Sequence, residues 1–437
     1  MLHLMIRGSS PLTRNKEAGL AIHDLTPITY LCIASEFNLP ELEACLAMRP
    51  SHLILIVSDF PKAQQGAKRL AAVLKTELPG VQIHRPDTEA ALNGEDIAAV
   101  LHWVASTLKP YLSKHTPTDN ASILNFTGGT KALSMALLTS LDCQQLHYKG
   151  IGQNKIQVLQ LHNNQWQSDR APLLPVTASP LQVARLYAGD VRVGGGLRDS
   201  EHLTGPLAAA LWEGLEQREP GLLQLFDALE RIWSAGRDNP AYKRADLELL
   251  FCDFLQDEKL LPSMHAWLQQ FSALAPRQFR LEASRLILPG NGARKSGKDL
   301  RKWICGDWLE ELAFLWLKEA GIPPEHMARG VVVSDEITGV SETGRETDLF
   351  VHHEGISYLV EIKADLPPET EIRSVEHQLS SLGNRLGKTR KLLFIGPQFR
   401  EKLSQKKHWD LFEARFEGSE ITLCSDRNSL LQALKLT

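Results

Sequence analysis

From about Ile28 onward, short apolar and partly β-branched runs alternate with longer stretches whose apolar positions recur at helical spacing. ITYLCIA, HLILIVS, VQIHR, ASILNF and CQQLHY read as strands, and PELEACLAM, KAQQGAKRLAAVLKTEL and GEDIAAVLHWVASTL as the helices between them. Strands apolar at nearly every position and separated by helices predict a parallel α/β sheet covered on both faces. A final strand pair, CQQLHYKG and KIQVLQL, is expected to close this unit near His162. Over 163–290 helical stretches recur (LTGPLAAALWEGLEQ, LLQLFDALERIW, ADLELLFCDFLQ, MHAWLQQFSAL), broken by Pro175, Pro180, Gly194-Gly195-Gly196 and Pro220. This segment reads as a helical connector. From 291 to 437 the order of helix, strand, hairpin, helix and strand predicts a second α/β domain. Three parts are therefore expected: 1–162, 163–290 and 291–437.

The 437 residues exceed what one compact core usually holds. A composition of 43% hydrophobic and 23% charged residues excludes wholesale disorder, collagen and a coiled coil. No apolar run approaches the roughly 18 residues of a membrane span, and the first residues lack the apolar core of a secretory signal. Six cysteines lie far apart without a C-x-x-C pair, which excludes a sequence-visible zinc ribbon and suits reduced thiols in the cytoplasm. A net charge of −4 gives no global attraction to nucleic acid, so any such binding must use local basic patches.

The run Asn125-Phe126-Thr127-Gly128-Gly129-Thr130-Lys131 follows the strand ASIL and opens the helix KALSMALLTSL. Glycines at such a junction let backbone N–H groups approach a ligand, and the helix N-terminus adds partial positive charge. Thr127 and Thr130 add hydroxyls and Lys131 a full charge, at the strand end where open α/β sheets bind ligands. The spacing is neither Walker A nor G-x-G-x-x-G. Taken alone, a tight turn capped by a threonine explains it equally well. The string N-x-T-G-G-T-K-x-x-x-M, Asn125 to Met135, resembles the ligand motif of CARF domains, the Rossmann-like sensors of cyclic oligoadenylates in type III CRISPR systems. The loop Ala34-Ser35-Glu36-Phe37-Asn38-Leu39-Pro40 is similar to a second ligand loop of that family. The resemblance covers roughly 28–162 and implies ligand contacts at Glu36, Phe37, Asn38, Asn125, Thr127, Gly128, Gly129, Thr130 and Lys131. It also implies a homodimer with one pocket on the two-fold axis, and cyclic tetra-adenylate as activator, with cyclic hexa-adenylate as the other ring size.

The hairpin from Thr347 to Lys363 carries the strongest chemical signal. With Glu354-Gly355 as a two-residue turn, Asp348 and Glu361 are expected to face each other across the strands, their Cβ atoms roughly 5 Å apart. Like charges so placed destabilise a sheet unless a divalent cation joins them. Side chains alternate, so Lys363 shares the face of Glu361, and Glu346 that of Asp348. Upstream, CGDWLEELAFLWLKEA reads as a helix apolar almost all round. Glu310 lies on its apolar side, where a carboxylate is costly without a cation or donors, whereas Glu311 lies nearer Asp307 and Lys318. At a helix edge, Glu310 would simply snorkel to water.

Asp348 and Glu361-x-Lys363, preceded by a helical Glu310, resemble the PD-(D/E)xK nuclease core. G-x-W-L-E, E-T-D-L and V-E-I-K are similar in particular to CRISPR-associated nucleases that join a CARF sensor to that core. By this likeness Asp348 and Glu361 bind Mg²⁺ or Mn²⁺, Lys363 orients the attacking water, and Glu310 is a further metal or water ligand. Thr347 stands where the motif has proline, a mild departure because proline ligates nothing. Gln378, on the next helix, stands where many such nucleases turn a glutamine toward the site, and a solvated glutamine fits as well. His352, His353 and His377 are more simply structural or surface residues. Two basic groups, Arg294 to Lys302 and Arg385 to Lys391, read either as nucleic-acid contacts or as solvated loops.

The resemblance implies a cytoplasmic, homodimeric, ligand-activated nuclease acting on RNA or DNA by metal-assisted hydrolysis. Two other classes stand beside it. One is a ligand-responsive regulator that binds DNA and carries an inert nuclease core. The other is a ring nuclease that degrades its own activator.

Overall fold

A computed structural model describes residues 28–117, 121–150, 153, 155–162, 165–168, 177–193, 205–227, 262–276, 280–282, 285–287, 302–334, 345–365, 369–405 and 409–436. The chain divides into two compact units, one of 1–151 and 155–176, the other of 152–154 and 177–437.

Unit 1 is built on strands β1 (Ile28–Ala34), β2 (His52–Val57), β3 (Gln82–His84), β4 (Ala121–Asn125), β5 (Gln145–Tyr148), β6 (Gln157–His162) and β7 (Gln165–Ser168). Their order across the sheet is β3-β2-β1-β4-β5-β6-β7. The first five run parallel; β6 and β7 return antiparallel. The helices are α1 (Leu39–Met48), α2 (Pro61–Glu77), α3 (Ile97–Trp103), α4 (Lys109–His115) and α5 (Lys131–Ser140). Alternation along the strands sorts the core. Leu31, Ile33, Ile54, Ile56 and Leu124 pack with Val100, Leu133, Ala136 and Leu137 of α3 and α5. Tyr30, Cys32, Leu53 and Leu55 are also buried, as apolar residues on both faces of a covered parallel sheet must be. The expected closing pair is present as β5 and β6, and β7 extends it with four exposed residues.

Unit 2 begins before the point where the sequence pattern suggested a separate domain. Helices α6 (Pro180–Ala188), α7 (Gly205–Glu216) and α8 (Pro262–Leu274) and strand β8 (Val191–Val193) come from the segment read as a connector, yet they belong to this unit. The reason is packing: Leu207, Leu211, Trp267 and Phe271 share one core with Trp308, Leu312 and Phe394. A short hairpin, β9 (Arg280–Glu282) with β10 (Arg285–Ile287), forms a sheet of its own. The remaining elements are α9 (Trp308–Glu319), β11 (Met327–Val333), β12 (Arg345–His353), β13 (Ile356–Lys363), α10 (Glu369–Arg385), β14 (Thr389–Ile395), α11 (Pro397–Gln405), α12 (Trp409–Gly418), β15 (Ile421–Cys424) and α13 (Arg427–Ala433).

The main sheet of unit 2 runs β15-β14-β13-β12-β11-β8. Strands β11, β12 and β13 form antiparallel pairs, and β13, β14 and β15 run parallel. The β12–β13 turn has φ 50° at Glu354 and φ 76° at Gly355, the two positive angles of a type I′ turn. This turn fixes the register at His353↔Ile356 through Leu349↔Val360, as the sequence suggested. One face buries Leu349, Val351, Val360 and Ile362 in the core that holds α9. The opposite face, with Phe350 and Leu359 buried, lies against α10, whose Val375, Leu379 and Leu382 are buried too.

Candidate functional sites

In unit 1 the sheet grows outward in both directions from β1 and β4, which pair side by side and parallel. This is a topological switch point, and the loops leaving the carboxyl ends of those two strands flank the crevice where such sheets bind ligands. The loop after β4 follows its own constraints closely. Asn125 is buried, and its Oδ1 accepts the Thr127 N–H at 3.0 Å. Thr127 Oγ1 accepts the Lys149 N–H at 2.9 Å, tying the loop to the end of β5. Gly129 has φ +82°, and a Cβ on Gly128 would lie 2.4 Å from the Ile33 carbonyl oxygen and 2.9 Å from Glu41 Oε1. Backbone therefore passes where no side chain fits. Thr130 caps α5, accepting the Leu133 N–H at 3.2 Å, and its hydroxyl donates to the Gly94 carbonyl.

The loop after β1 is braced in the same way. Asn38 is buried; its Oδ1 accepts the Ser35 N–H at 2.7 Å and its Nδ2 donates to the Ser35 carbonyl at 2.8 Å. Glu36 pairs with Lys62 at 3.0 Å on the surface, and Phe37 is 43% exposed. The structure thus splits the candidate ligand residues. Asn38 and Asn125 hold loop shape, while Glu36, Phe37 and Lys131 face outward.

Beneath these loops lies a charge group that the sequence reading passed over. Lys149 is buried and paired with the buried Glu43. Glu41 is 0% exposed, and neither of its carboxyl oxygens meets a hydrogen-bond partner in another described residue. Burial pushes its carboxyl up to about 8, with Lys149 pulling only part of the way back. Nearby, the Tyr30 hydroxyl lies 2.9 Å from His147 Nδ1, and burial pushes that imidazole down to about 4. The signal was available: two glutamates two residues apart in the otherwise apolar PELEACLAM are hard to place on a helix packed against a sheet.

In unit 2 the paired ladder of β12 and β13 ends at Leu349↔Val360, and the acids come just beyond it. Asp348 Oδ2 accepts the Ile362 N–H at 2.7 Å. Lys363 Nζ lies 2.7 Å from Glu361 Oε1 and 3.8 Å from Asp348 Oδ2, which brings the three predicted residues together. Gln378 of α10 reaches the same group, its Nε2 donating to Glu361 Oε2 at 3.3 Å and to the Glu346 carbonyl. Glu361 is 3% exposed, and burial, then Asp348, pushes its carboxyl up to about 8 despite Lys363 beside it. Burial works against the charge on Lys363, but Asp348, Glu361 and Glu310 together hold its ammonium above the usual lysine value. Glu310 is buried on α9 and acts on Lys363 through this field. Glu311, expected on the polar side, is buried as well, because α7 covers that flank: a Cβ added to Gly205 would lie 4.0 Å from Glu311 Oε1.

Among the described residues no three His, Cys, Asp or Glu side chains form one metal-ready group. The Asp348–Glu361 pair nevertheless fits a hard divalent cation. Mg²⁺ is typically held by one or two carboxylates and completes its shell with water and phosphate oxygens. Burial first, and Asp348 after it, disfavour the charge on Glu361, and a cation set between the two carboxylates would act against both effects.

The basic segment 291–301 lies outside the described residues. In the second basic group, Arg385 donates to the Ser334 carbonyl at 2.6 Å, Arg390 sits 5.8 Å from the Tyr358 ring centroid, and Lys391 donates to the Ser419 carbonyl at 2.9 Å. Arg385 and Lys391 thus brace neighbouring backbone, while Arg390 is exposed. His352 is buried beside Ser357 Oγ at 2.9 Å, a structural position.

No protein family and no curated protein matches the chain by sequence. Solved structures match it by fold. Can2 from Sulfobacillus thermosulfidooxidans, in complex with cyclic tetra-adenylate, is 16% identical with a TM-score of 0.56, covering 93% of this chain and 98% of that one. Protein VC1899 from Vibrio cholerae is 13% identical with a TM-score of 0.60, covering 93% and 96%. Likeness at these identities establishes the fold alone: the chain shares their architecture along nearly its whole length. No helix among the described residues is long and apolar enough to cross a membrane.

Proposed function

We propose that this chain is a metal-dependent nuclease switched on by a cyclic oligoadenylate, acting in type III CRISPR defence as a cytoplasmic homodimer. The observation that carries the nuclease reading is the gathering of Asp348, Glu361 and Lys363 at the end of one hairpin, with Gln378 closing on Glu361. Asp348 and Glu361 would hold Mg²⁺ or Mn²⁺, which when bound supplies charge neutralisation at the phosphodiester and acidifies water. Lys363 holds a protonated ammonium at the acids, positioned to balance charge on a phosphate and to orient the attacking water. Glu310 tunes Lys363 from the helix side, or ligates water. Substrates are RNA, DNA or both.

The sensor reading rests on the two loops at the switch point of unit 1 and on the glycines that bring backbone close there. Can2, of the same fold, binds cyclic tetra-adenylate, which makes that ring the first activator to test. Gly128, Gly129, Thr127, Thr130 and Lys131 would take a phosphate, Glu36 and Phe37 the outer part of the ring. Asn38 and Asn125 would keep both loops in shape. Activation requires the ligand to bind the active arrangement more tightly than the resting one.

Plasmid DNA and single-stranded RNA, incubated with Mg²⁺ or Mn²⁺ and each cyclic oligoadenylate, test the proposal. Cleavage is expected only with ligand and metal together, and Glu361→Ala or Lys363→Ala should abolish it. Unchanged cleavage by both variants would overturn it.

A further inference from the structure

Beside the phosphate-type loop of unit 1, two aromatic rings stand in a place no part of the ligand reading uses. Phe126 directly precedes Thr127, and Tyr148 directly precedes Lys149, whose N–H bonds Thr127 Oγ1. Their strands are joined at this level by the Phe126 N–H to the His147 carbonyl at 3.1 Å. The rings lie 5.3 Å apart at 23°, a stacked pair. Alternation places them: Leu124 and Leu146 belong to the core under α3 and α5, and Phe126 and Tyr148 follow each by two residues on the same face. The same face carries α5, which Thr130 caps and which packs there through Leu133, Ala136 and Leu137.

The two rings differ in support. Phe126 packs against the buried cluster, whereas Tyr148 is 38% exposed. An aromatic anchored from below by a second ring, beside backbone N–H groups suited to phosphate, has the form of a base-stacking platform.

We propose that Phe126 and Tyr148 form such a platform, with Tyr148 stacking on a purine base of the ligand whose phosphate rests on Thr127–Lys131. This inference depends on the sensor reading above and adds base recognition to it. Phe126 supports the tyrosine as a positioning residue, and Tyr148 supplies the contact.

The test is binding of cyclic tetra-adenylate, and of the same ring carrying one 2-aminopurine, to the full-length protein, Tyr148→Phe and Tyr148→Leu. Stacking quenches 2-aminopurine fluorescence. Wild type and Tyr148→Phe should bind alike and quench. Tyr148→Leu should bind roughly 5- to 150-fold more weakly, as one lost base–aromatic stack implies, and relieve the quenching at saturation. Saturated wild-type complex without quenching overturns the platform, whatever the variants do. So does Tyr148→Leu with wild-type affinity and quenching. Failure of wild type to bind any cyclic oligoadenylate would instead overturn the sensor reading itself.

Discussion

The Asp348 carboxylate accepts the Ile362 backbone N–H at 2.7 Å, two residues beyond the last regular pair of the β12–β13 ladder. A side chain thus replaces a strand carbonyl where the ladder stops, and the acid is fixed from the neighbouring strand. Asp348→Asn keeps an oxygen for that N–H and removes the charge. It should melt close to wild type while losing metal-dependent cleavage by at least about a hundredfold. Asp348→Ala should lose cleavage and also about 1–3 kcal/mol of stability, because the buried donor is left without its acceptor. Thermal melts and initial rates on both variants check this.

Glu361 makes the opposite case. Its carboxyl is raised by burial and by Asp348, so its folded-state value lies above that of the unfolded chain. Its contribution to stability is then full below about pH 4.5 and is lost as pH rises toward 8. Without metal, Glu361→Gln should therefore melt higher than wild type at pH 8 and abolish cleavage. Mg²⁺ should raise the melting temperature of wild type and leave the variant unmoved.

Unit 1 carries a pair of groups with opposing pH dependences. Glu41, raised to about 8, favours the folded state at lower pH and loses that support as pH climbs from 4.5 to 8. His147, lowered to about 4, contributes stability above its unfolded value of 6.5 that is lost as pH falls toward 4. Glu41→Gln should flatten the alkaline side of the stability profile, and His147→Gln the acid side. Melting temperature measured from pH 4.5 to 9 reads both.

Gly128 has no room for a methyl group: the Ile33 carbonyl oxygen and Glu41 Oε1 already occupy the space. At Gly129 a side chain would meet Ile33 Cγ2 at 2.4 Å in a left-handed backbone conformation. Gly128→Ala and Gly129→Ala should each weaken cyclic tetra-adenylate binding at least tenfold, while Lys131→Ala, at an exposed position, should cost less. Isothermal titration of the three variants orders them.

Much of this was legible in the sequence because local rules decided it. The Glu354-Gly355 turn set a two-residue register, and alternation then put Asp348, Glu361 and Lys363 together. The strand-to-helix junction at Asn125–Lys131 was likewise visible from glycine and threonine placement. What escaped depends on distant partners. The membership of α7 and α8 in unit 2 follows from Trp267 and Phe271 meeting the Trp308 core, which no local pattern encodes. The burial of Glu311 follows from α7 covering a flank that helical spacing alone assigns to water. Lys149 could not be matched to Glu43 across 106 residues of sequence.

The measurement closest to the central claim is a Mn²⁺ titration of the metal-free protein followed by electron paramagnetic resonance. Wild type should show at least one saturable site per chain that disappears in both Asp348→Asn and Glu361→Gln. Equal Mn²⁺ binding by wild type and both variants would contradict the account, since the acids of the hairpin would then hold no catalytic ion.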